Sequence, residues 1–235
     1  MTLYKEVKRQ MLLALARNEW SPGELIPSEK QLSLHFAVSI GTLRKAIDDL
    51  VAENILIRHQ GRGTYVALHN RSQQLFRFFN VVRHDGLKTY PTLELIDFAK
   101  VTADRIAADK LGISGRAKVF RFVNVSSLGG EPVLVEQISL PEARFAGLTE
   151  AQLRTRANTL YSLYQVSFGV NVIRIDERLR ATLANAELAQ LLDIAIGTPL
   201  LEKHRVAYSY HDQPVEWRVS YINTADYEYF ATQAQ

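Results

Sequence analysis

Three amphipathic helical stretches followed at once by a glycine-bracketed hairpin fill the first 67 residues, and this order constrains the fold more than any other feature of the chain. Leu3, Tyr4, Val7, Met11, Ala14 and Leu15 recur at helical spacing with Lys5, Lys8 and Arg9 between them, the pattern of a helix with one buried face. Asn18 to Pro22 ends that run. Ser28 and Gln31 have the spacing of a capping box, in which hydroxyl and amide each satisfy a backbone donor of the first turn, so a short second helix is expected from Glu29 to about His35. Ser39 stands where an N-cap belongs, ahead of a third helix that buries Leu43, Ala46, Ile47, Leu50 and Val51 and turns Arg44, Lys45, Asp48 and Asp49 elsewhere. Two β-prone runs, Ile55 to His59 and Thr64 to Ala67, are joined by Gln60-Gly61-Arg62-Gly63, whose glycines permit the positive φ angles of a tight hairpin.

Helix, helix, turn, helix, hairpin is the order of a winged helix-turn-helix. In such a unit the later helix of the pair enters the major groove of DNA, its first-turn residues face base edges, and the preceding helix crosses the phosphates. Those first-turn positions are Ser39, Ile40, Gly41, Thr42 and Arg44. Thr42 suits a phosphate or base contact, Arg44 can bond a phosphate or fork onto guanine, and Lys30 and Lys45 add phosphate charge. At the hairpin tip Gly61 and Gly63 allow close backbone approach while Arg62 projects toward a groove. Each element alone also reads as plain structure: a helix cap, a solvated arginine, a turn. The order carries the inference. The formal net charge is only +3; residues 1–70 hold nine Lys/Arg against seven Asp/Glu, so any electrostatic footprint on DNA is local.

The chain has no cysteine, which excludes a disulfide framework and a thiolate zinc site, and its six histidines, at 35, 59, 69, 84, 204 and 211, have no metal-binding spacing. No cofactor or metal is expected. Charged residues interleave with apolar ones over the first fifteen positions, and the longest uncharged run, between Arg156 and Arg174, is too polar to span a bilayer. A cytoplasmic protein with no membrane role is expected.

His69 to Gln74 interrupts all periodicity, giving expected domains of 1–68 and 77–235 with a linker at 69–76. Beyond it, strand candidates are Val119 to Ser127, Pro132 to Leu140, Val172 to Thr182, Leu200 to Tyr210 and Val215 to Ile222, with Gly129-Gly130 and His211-Asp212-Gln213 as hairpin turns. Helix candidates are Ala103 to Leu111, Leu160 to Phe168 and Asn185 to Leu192. The fold class is therefore α+β, with the second domain centred on an antiparallel sheet. Glu136 shares the apolar face of Leu134, Ile138 and Leu140, where a carboxylate needs a partner or a ligand. Glu216, Arg218 and Ser220 line one face of their strand, which either borders a cavity or meets water.

At this point two resemblances emerge. Residues 3–67 resemble the DNA-binding domain of the GntR family of bacterial repressors, through Leu3-Tyr4, Pro22-Gly23, Leu25-Ile26-Pro27-Ser28-Glu29, Gln31-Leu32, Val38-Ser39, Thr42-Leu43-Arg44, Ala46, Leu50 and Gln60-Gly61-Arg62-Gly63-Thr64-Tyr65-Val66. That resemblance implies that Lys30, Thr42, Arg44, Gln60 and Gly61 occupy DNA-contacting positions. The family's usual arginine after the capping serine is Ile40 here, followed by Gly41; isoleucine cannot bond guanine but can touch a thymine methyl. Residues 77–231 resemble the UTRA effector domain of the HutC subfamily, with a chorismate-lyase-like fold, through Leu111-Gly112-Ile113, Gly130-Glu131-Pro132-Val133 with Glu136, Thr159-Leu160-Tyr161, Leu192-Asp193-Ile194, Gly197-Thr198-Pro199-Leu200-Leu201, Arg205 and Pro214-Val215-Glu216.

The resemblance implies a homodimeric, ligand-responsive repressor on a pseudo-palindromic double-stranded DNA operator, released by a small polar or anionic metabolite. Thr159 and Tyr161 fall at family ligand positions, as do Asn124 and Ser126, where sugar-phosphate-sensing relatives carry two arginines. Arg121, Arg205 and Arg218 leave an anionic ligand open. An enzyme on the lyase fold is the alternative, disfavoured by the lack of a paired catalytic motif or phosphate loop. A structural nucleoid protein would not need the large second domain.

Overall fold

The computed structural model describes residues 2–17, 19–53, 55–68, 80–85, 90–156 and 159–230. The expected linker at 69–76 lies outside them. The first three helices, α1 (Leu3–Ala16), α2 (Glu29–His35) and α3 (Ile40–Ala52), follow the sequence pattern closely. The capping box at Ser28 is complete in both directions, and the Ser39 hydroxyl accepts from the Thr42 amide. Val7, Met11, Leu15, Leu32, Leu43, Ala46, Ile47 and Leu50 meet Ile26, Ile55, Leu56 and Val66 in one core; Val51, expected to be buried, is half-buried at its margin. Strands β1 (Leu56–His59) and β2 (Gly63–Val66) pair antiparallel, and Leu25 bridges Tyr65, so the hairpin gains a third edge. Gly63 has φ +105° and an added Cβ would stand 2.5 Å from Leu25 Cδ1, so glycine is required on both counts.

The rest of the chain forms β3 (Val81–Arg83), β4 (Thr92–Thr102), α4 (Arg105–Leu111), β5 (Lys118–Leu128), β6 (Glu131–Pro141), α5 (Glu150–Thr155), α6 (Leu160–Phe168), β7 (Arg174–Leu183), α7 (Ala186–Leu192), β8 (Pro199–Ser209), β9 (Gln213–Asn223) and β10 (Tyr227–Tyr229). Six strands make an antiparallel sheet in the order β4-β5-β6-β9-β8-β7, and β10 pairs with β3 apart from it. Gly129 and Gly130 turn β5 into β6 with positive φ; a 3₁₀ turn at Tyr210–Asp212, with His211 and Asp212 also at positive φ, joins β8 to β9.

Helices cover both faces of this sheet. On one, α4 packs Ala107 and Leu111 against Val119, Val206 and Trp217, while α7 packs Leu188 and Leu192 against Val125, Val135 and Leu200. On the other, Leu153 of α5 and Leu160, Tyr161 and Tyr164 of α6 close over Phe120, Phe122, Ile138 and Leu140. Each such apolar side chain withdrawn from water contributes about 1.5–3 kcal/mol.

Several expected boundaries shift. The helix expected from Ala103 starts at Arg105 because Asp104 caps it, and the one expected from Asn185 starts at Ala186 because Asn185 caps it. The strand expected from Val172 begins at Arg174: Val172 lies in the large core, and Ile173 packs against the core of the N-terminal helices. Tyr210, from the β8–β9 turn, is buried in that same N-terminal core, and Gln165 Nε2 of α6 donates to the Ala67 carbonyl oxygen at 3.0 Å and to Asn171 Oδ1 at 2.6 Å. The two halves of the chain are thus joined by packing and by a buried hydrogen bond.

Candidate functional site

At the start of α3, Ile40, Gly41 and Arg44 are exposed and Thr42 is partly so, its hydroxyl 2.9 Å from that of Ser39. Lys30 on α2 and Gln60, Gly61, Arg62 and Gly63 at the hairpin are exposed as well. Arg44 forks onto Glu29, with Nη2 to Oε2 at 2.7 Å and Nε to Oε2 at 3.1 Å, while Arg58 reaches Glu29 at 3.4 Å and Asp48 at 2.8 Å. The Arg44 hydrogen bond, against a smaller opposing effect of burial, holds the Glu29 carboxyl below its usual range. Lys45 places its ammonium 4.3 Å above the Tyr4 ring. The part of Arg58 had no signal in the sequence, since its partners lie 10 and 29 residues away.

In the large sheet the register aligns charged groups across strands. Asn124 stands opposite Glu136, Glu136 opposite Ser220, and Ser220 opposite Lys203; one step along, Ile138, Arg218, Arg205 and Glu177 form a parallel row. Directly opposed residues share a face, here the one under α6, and the polar face of β9 is buried rather than solvated: Glu216, Arg218 and Ser220 all lie inside.

Arg218 is the hub. It donates through Nη1 to Glu136 at 2.9 Å and grips both oxygens of Glu216 at 2.8 and 2.7 Å. Helix α6 supplies two hydroxyls to the same carboxylate, Tyr164 at 2.6 Å and Tyr161 at 3.1 Å. Arg205 Nη1 donates to the Tyr161 oxygen at 3.3 Å and its Nε to Glu177 at 2.7 Å, while Lys203 lies 3.5 Å from Glu177. Burial pushes the Glu136 carboxyl up, but Arg218, Lys203 and Arg205 outweigh it and leave it below its usual range. Burial, with Arg205 next, brings Lys203 down to about 7, and burial lifts Tyr161 to about 12, keeping it a donor. Charges withdrawn from water persist only when paired in this way.

Five of the eight residues singled out from sequence, Glu136, Tyr161, Arg205, Glu216 and Arg218, therefore meet in one network. Asn124 adjoins it beside Glu136. Ser126 is buried opposite Leu134, and Thr159 caps α6 by accepting from the Ser162 amide. Lys203, Glu177 and Tyr164 were missed; the alternation of Lys203 with Arg205 was the one signal that pointed to them. A hollow at Arg83, His84, Asp85, Glu131, Asp226 and Tyr227 contains none of these residues. Among the described residues no His, Asp or Glu group has the arrangement of a metal site, and no helix is long and apolar enough to cross a membrane.

Comparison with known proteins agrees with this two-part layout. Residues 3–66 match the bacterial regulatory proteins of the gntR family, and residues 87–228 match the UTRA domain. An Escherichia coli (strain K12) protein named as a fructoselysine utilization operon transcriptional repressor is 30% identical over 218 residues, covering 91% of this chain and 87% of that protein. The mannosyl-D-glycerate transport/metabolism system repressor of the same organism is 26% identical over 230 residues, covering 97% and 94%. Among solved structures, the ligand-binding domain of a GntR-family transcriptional regulator from Bordetella bronchiseptica superposes with a TM-score of 0.62 at 28% identity, covering 66% of this chain and 96% of that one. PhnF from Mycobacterium smegmatis shares the fold along 96% of this chain and 98% of its own, with a TM-score of 0.55 at 23% identity.

Proposed function

The chain belongs to the gntR family of bacterial regulatory proteins and carries a UTRA domain, and on that premise we propose that it is a dimeric repressor that leaves a pseudo-palindromic operator when a small polar or anionic metabolite enters the buried cluster around Arg218. It is a DNA-binding transcriptional regulator and not an enzyme. In this reading Ser39, Gly41, Thr42, Arg44 and Lys45 face DNA from α3, Lys30 from α2, and Gln60 to Gly63 from the wing. Gly41 supports it: a helical glycine costs about 1 kcal/mol relative to alanine, its own backbone does not require it, and an added Cβ would meet only Ser39 Oγ at 3.9 Å. Keeping that surface bare favours close approach by a partner. Exposed Ile40 suits a thymine methyl.

The observation that carries the effector half is α6. Tyr161 and Tyr164 hold Glu216 inside the polar cluster, and the next residue, Gln165, holds Ala67 at the end of the winged helix. A ligand that competes for Glu216 or Arg218 displaces the tyrosines and with them the helix. Such a ligand shifts DNA binding only by its differential affinity for the two arrangements, and a tenfold to hundredfold loss needs about 1.4–2.7 kcal/mol. The relatives named for fructoselysine and mannosyl-D-glycerate lead us to a carbohydrate derivative as the effector class. We take the domains as 1–68 and 77–235 about a linker at 69–76, and the setting as the cytoplasm.

The test selects an operator from random-sequence DNA with the full chain, then measures its affinity with and without a panel of carbohydrate derivatives, for wild type and Glu136→Gln. Glu136→Gln keeps an acceptor for Arg218, which also retains Glu216. The expected result is an operator affinity that falls at least tenfold with one compound in the wild type and is insensitive to it in a variant of similar melting temperature. A stable variant with full response, or a panel without effect, overturns the reading.

A further inference from the structure

Three buried side-chain polar atoms among the described residues have no hydrogen-bond partner, and they belong to two residues: Nδ2 and Oδ1 of Asn124, and Nη2 of Arg156. From them we propose that Asn124 and Arg156 form an anion-holding corner of the effector site, and that the effector carries a carboxylate or phosphate group beside a hydroxyl. The proposal rests on the effector reading above and goes on to name the ligand's chemistry.

The two residues border one space. Asn124 on β5 is 1% exposed and stands between Leu95 and Glu136 in the sheet. Helix α5 closes over that spot: Leu153 packs with Leu95 and Phe122, and Arg154 Nη1 donates to the Leu95 carbonyl oxygen at 2.9 Å. Arg156 follows directly, anchored by Nη1 to the Leu153 carbonyl oxygen and close enough to Glu136, Tyr164 and Arg218 to feel their charges. Burial pushes its guanidinium below the usual arginine range, so Tyr164 and Glu136 compensate the charge incompletely.

Counting the charges under α6 shows what is lacking. The cations Arg156, Lys203, Arg205 and Arg218 face the carboxylates Glu136, Glu177 and Glu216. Arg218 takes Glu136 and Glu216, and Arg205 with Lys203 takes Glu177. Arg156 is left as the odd cation. An apolar or purely cationic ligand would leave it so. A carboxylate or phosphate oxygen accepts from Arg156 Nη2 and Asn124 Nδ2, and a neighbouring hydroxyl donates to Asn124 Oδ1, which satisfies all three atoms at once. The charge thus reaches the corner from the segment after α5, whereas β5 contributes only the neutral Asn124 and Ser126.

Melting of the full chain in chloride, acetate and inorganic phosphate at equal ionic strength tests this, for wild type, Arg156→Met, Arg156→Lys and Asn124→Leu. Wild type is expected to be stabilised by acetate or by phosphate, and the better anion separates a carboxylate ligand from a phosphorylated one. In chloride Arg156→Met and Asn124→Leu are expected to melt at or above wild type, because each removes an unpaired buried atom. Anion affinity falls more than about tenfold in both, as expected when a charge-assisted bond is lost, and Arg156→Lys retains part of it. Variants that melt below wild type in chloride would assign these side chains to structure alone and overturn the proposal. So would a wild type indifferent to both anions, or a shift that survives in Arg156→Met, as it would if anions bound only the basic surface of α3. The effector reading fails separately, when no compound changes operator affinity; if a compound does and Arg156→Met responds like wild type, only the anion corner falls.

Discussion

Lys203 lies fully buried on β8, 3.5 Å from Glu177 and with its ammonium 5.0 Å from the centre of the Tyr229 ring. Burial first, and Arg205 second, lower its pKa from 10.5 to about 7. Between those values the unfolded chain binds a proton that the folded chain does not, so stability rises with pH across that window and is least below it. Above about pH 10 the sign reverses, because Tyr161 and Tyr229, both lifted to about 12 chiefly by burial, keep protons that unfolded tyrosines lose. Melting temperature should therefore climb from about pH 7 to 9.5, and Lys203→Met should flatten the climb; a level wild-type profile in scanning calorimetry would show that no such charge is buried. Arg44 poses a different question, since Glu29 occupies it in the free protein. That pair is exposed and contributes under about 1 kcal/mol, so Arg44→Ala should leave melting almost unchanged while weakening the operator complex by about 1–3 kcal/mol. An electrophoretic titration that finds equal affinity would remove Arg44 from the interface.

Helix α6 is the element on which regulation turns, because its nine residues touch the Glu216 carboxylate at one end and the Ala67 carbonyl at the other. Gln165→Leu cuts the second contact and leaves Tyr161 and Tyr164 in place. The variant should bind effector as before yet lose about 0.5–2 kcal/mol of coupling to DNA, read from operator titrations with and without effector; a stable variant with undiminished coupling would rule out this route. Elements differ in how far they could be read from the chain. The N-terminal helices were legible because caps and 3.6-residue spacing are local properties. Strand β4 was not, because a bulge between Leu95 and Asp97 shifts the apolar alternation halfway along it. Helix α5 spans six residues, too short for a period to show. The face of Glu216 and Arg218 stayed ambiguous for a related reason: helices cover both sides of the sheet, and alternation alone cannot say which polar row is dry. Glu202-Lys203-His204-Arg205 puts charge on both faces of β8, which hid Lys203.

For the molecule as a whole, one recognition helix spans too few base pairs for useful specificity, and two-fold proteins read two half-sites about 34–36 Å apart. The edge strands β4 and β7 leave Leu93, Ile96, Leu179 and Leu183 exposed, apolar surface that a second copy would cover. Light scattering of the full chain at micromolar concentration should give a dimer; a monomer there would sink the assembly. Tyr210 has a consequence of another kind. By position it belongs to the sheet, yet its ring fills the core of the three N-terminal helices, with Ile173 packed beside it. A large side chain missing from such a socket costs about 3–5 kcal/mol, a sizeable part of the roughly 5–15 kcal/mol that keeps a domain folded. Grafting residues 1–68 onto a foreign sensor would therefore yield a weakened reader of DNA unless the β8–β9 corner came with it. The seam along which these regulators can exchange parts by recombination does not run through the linker alone.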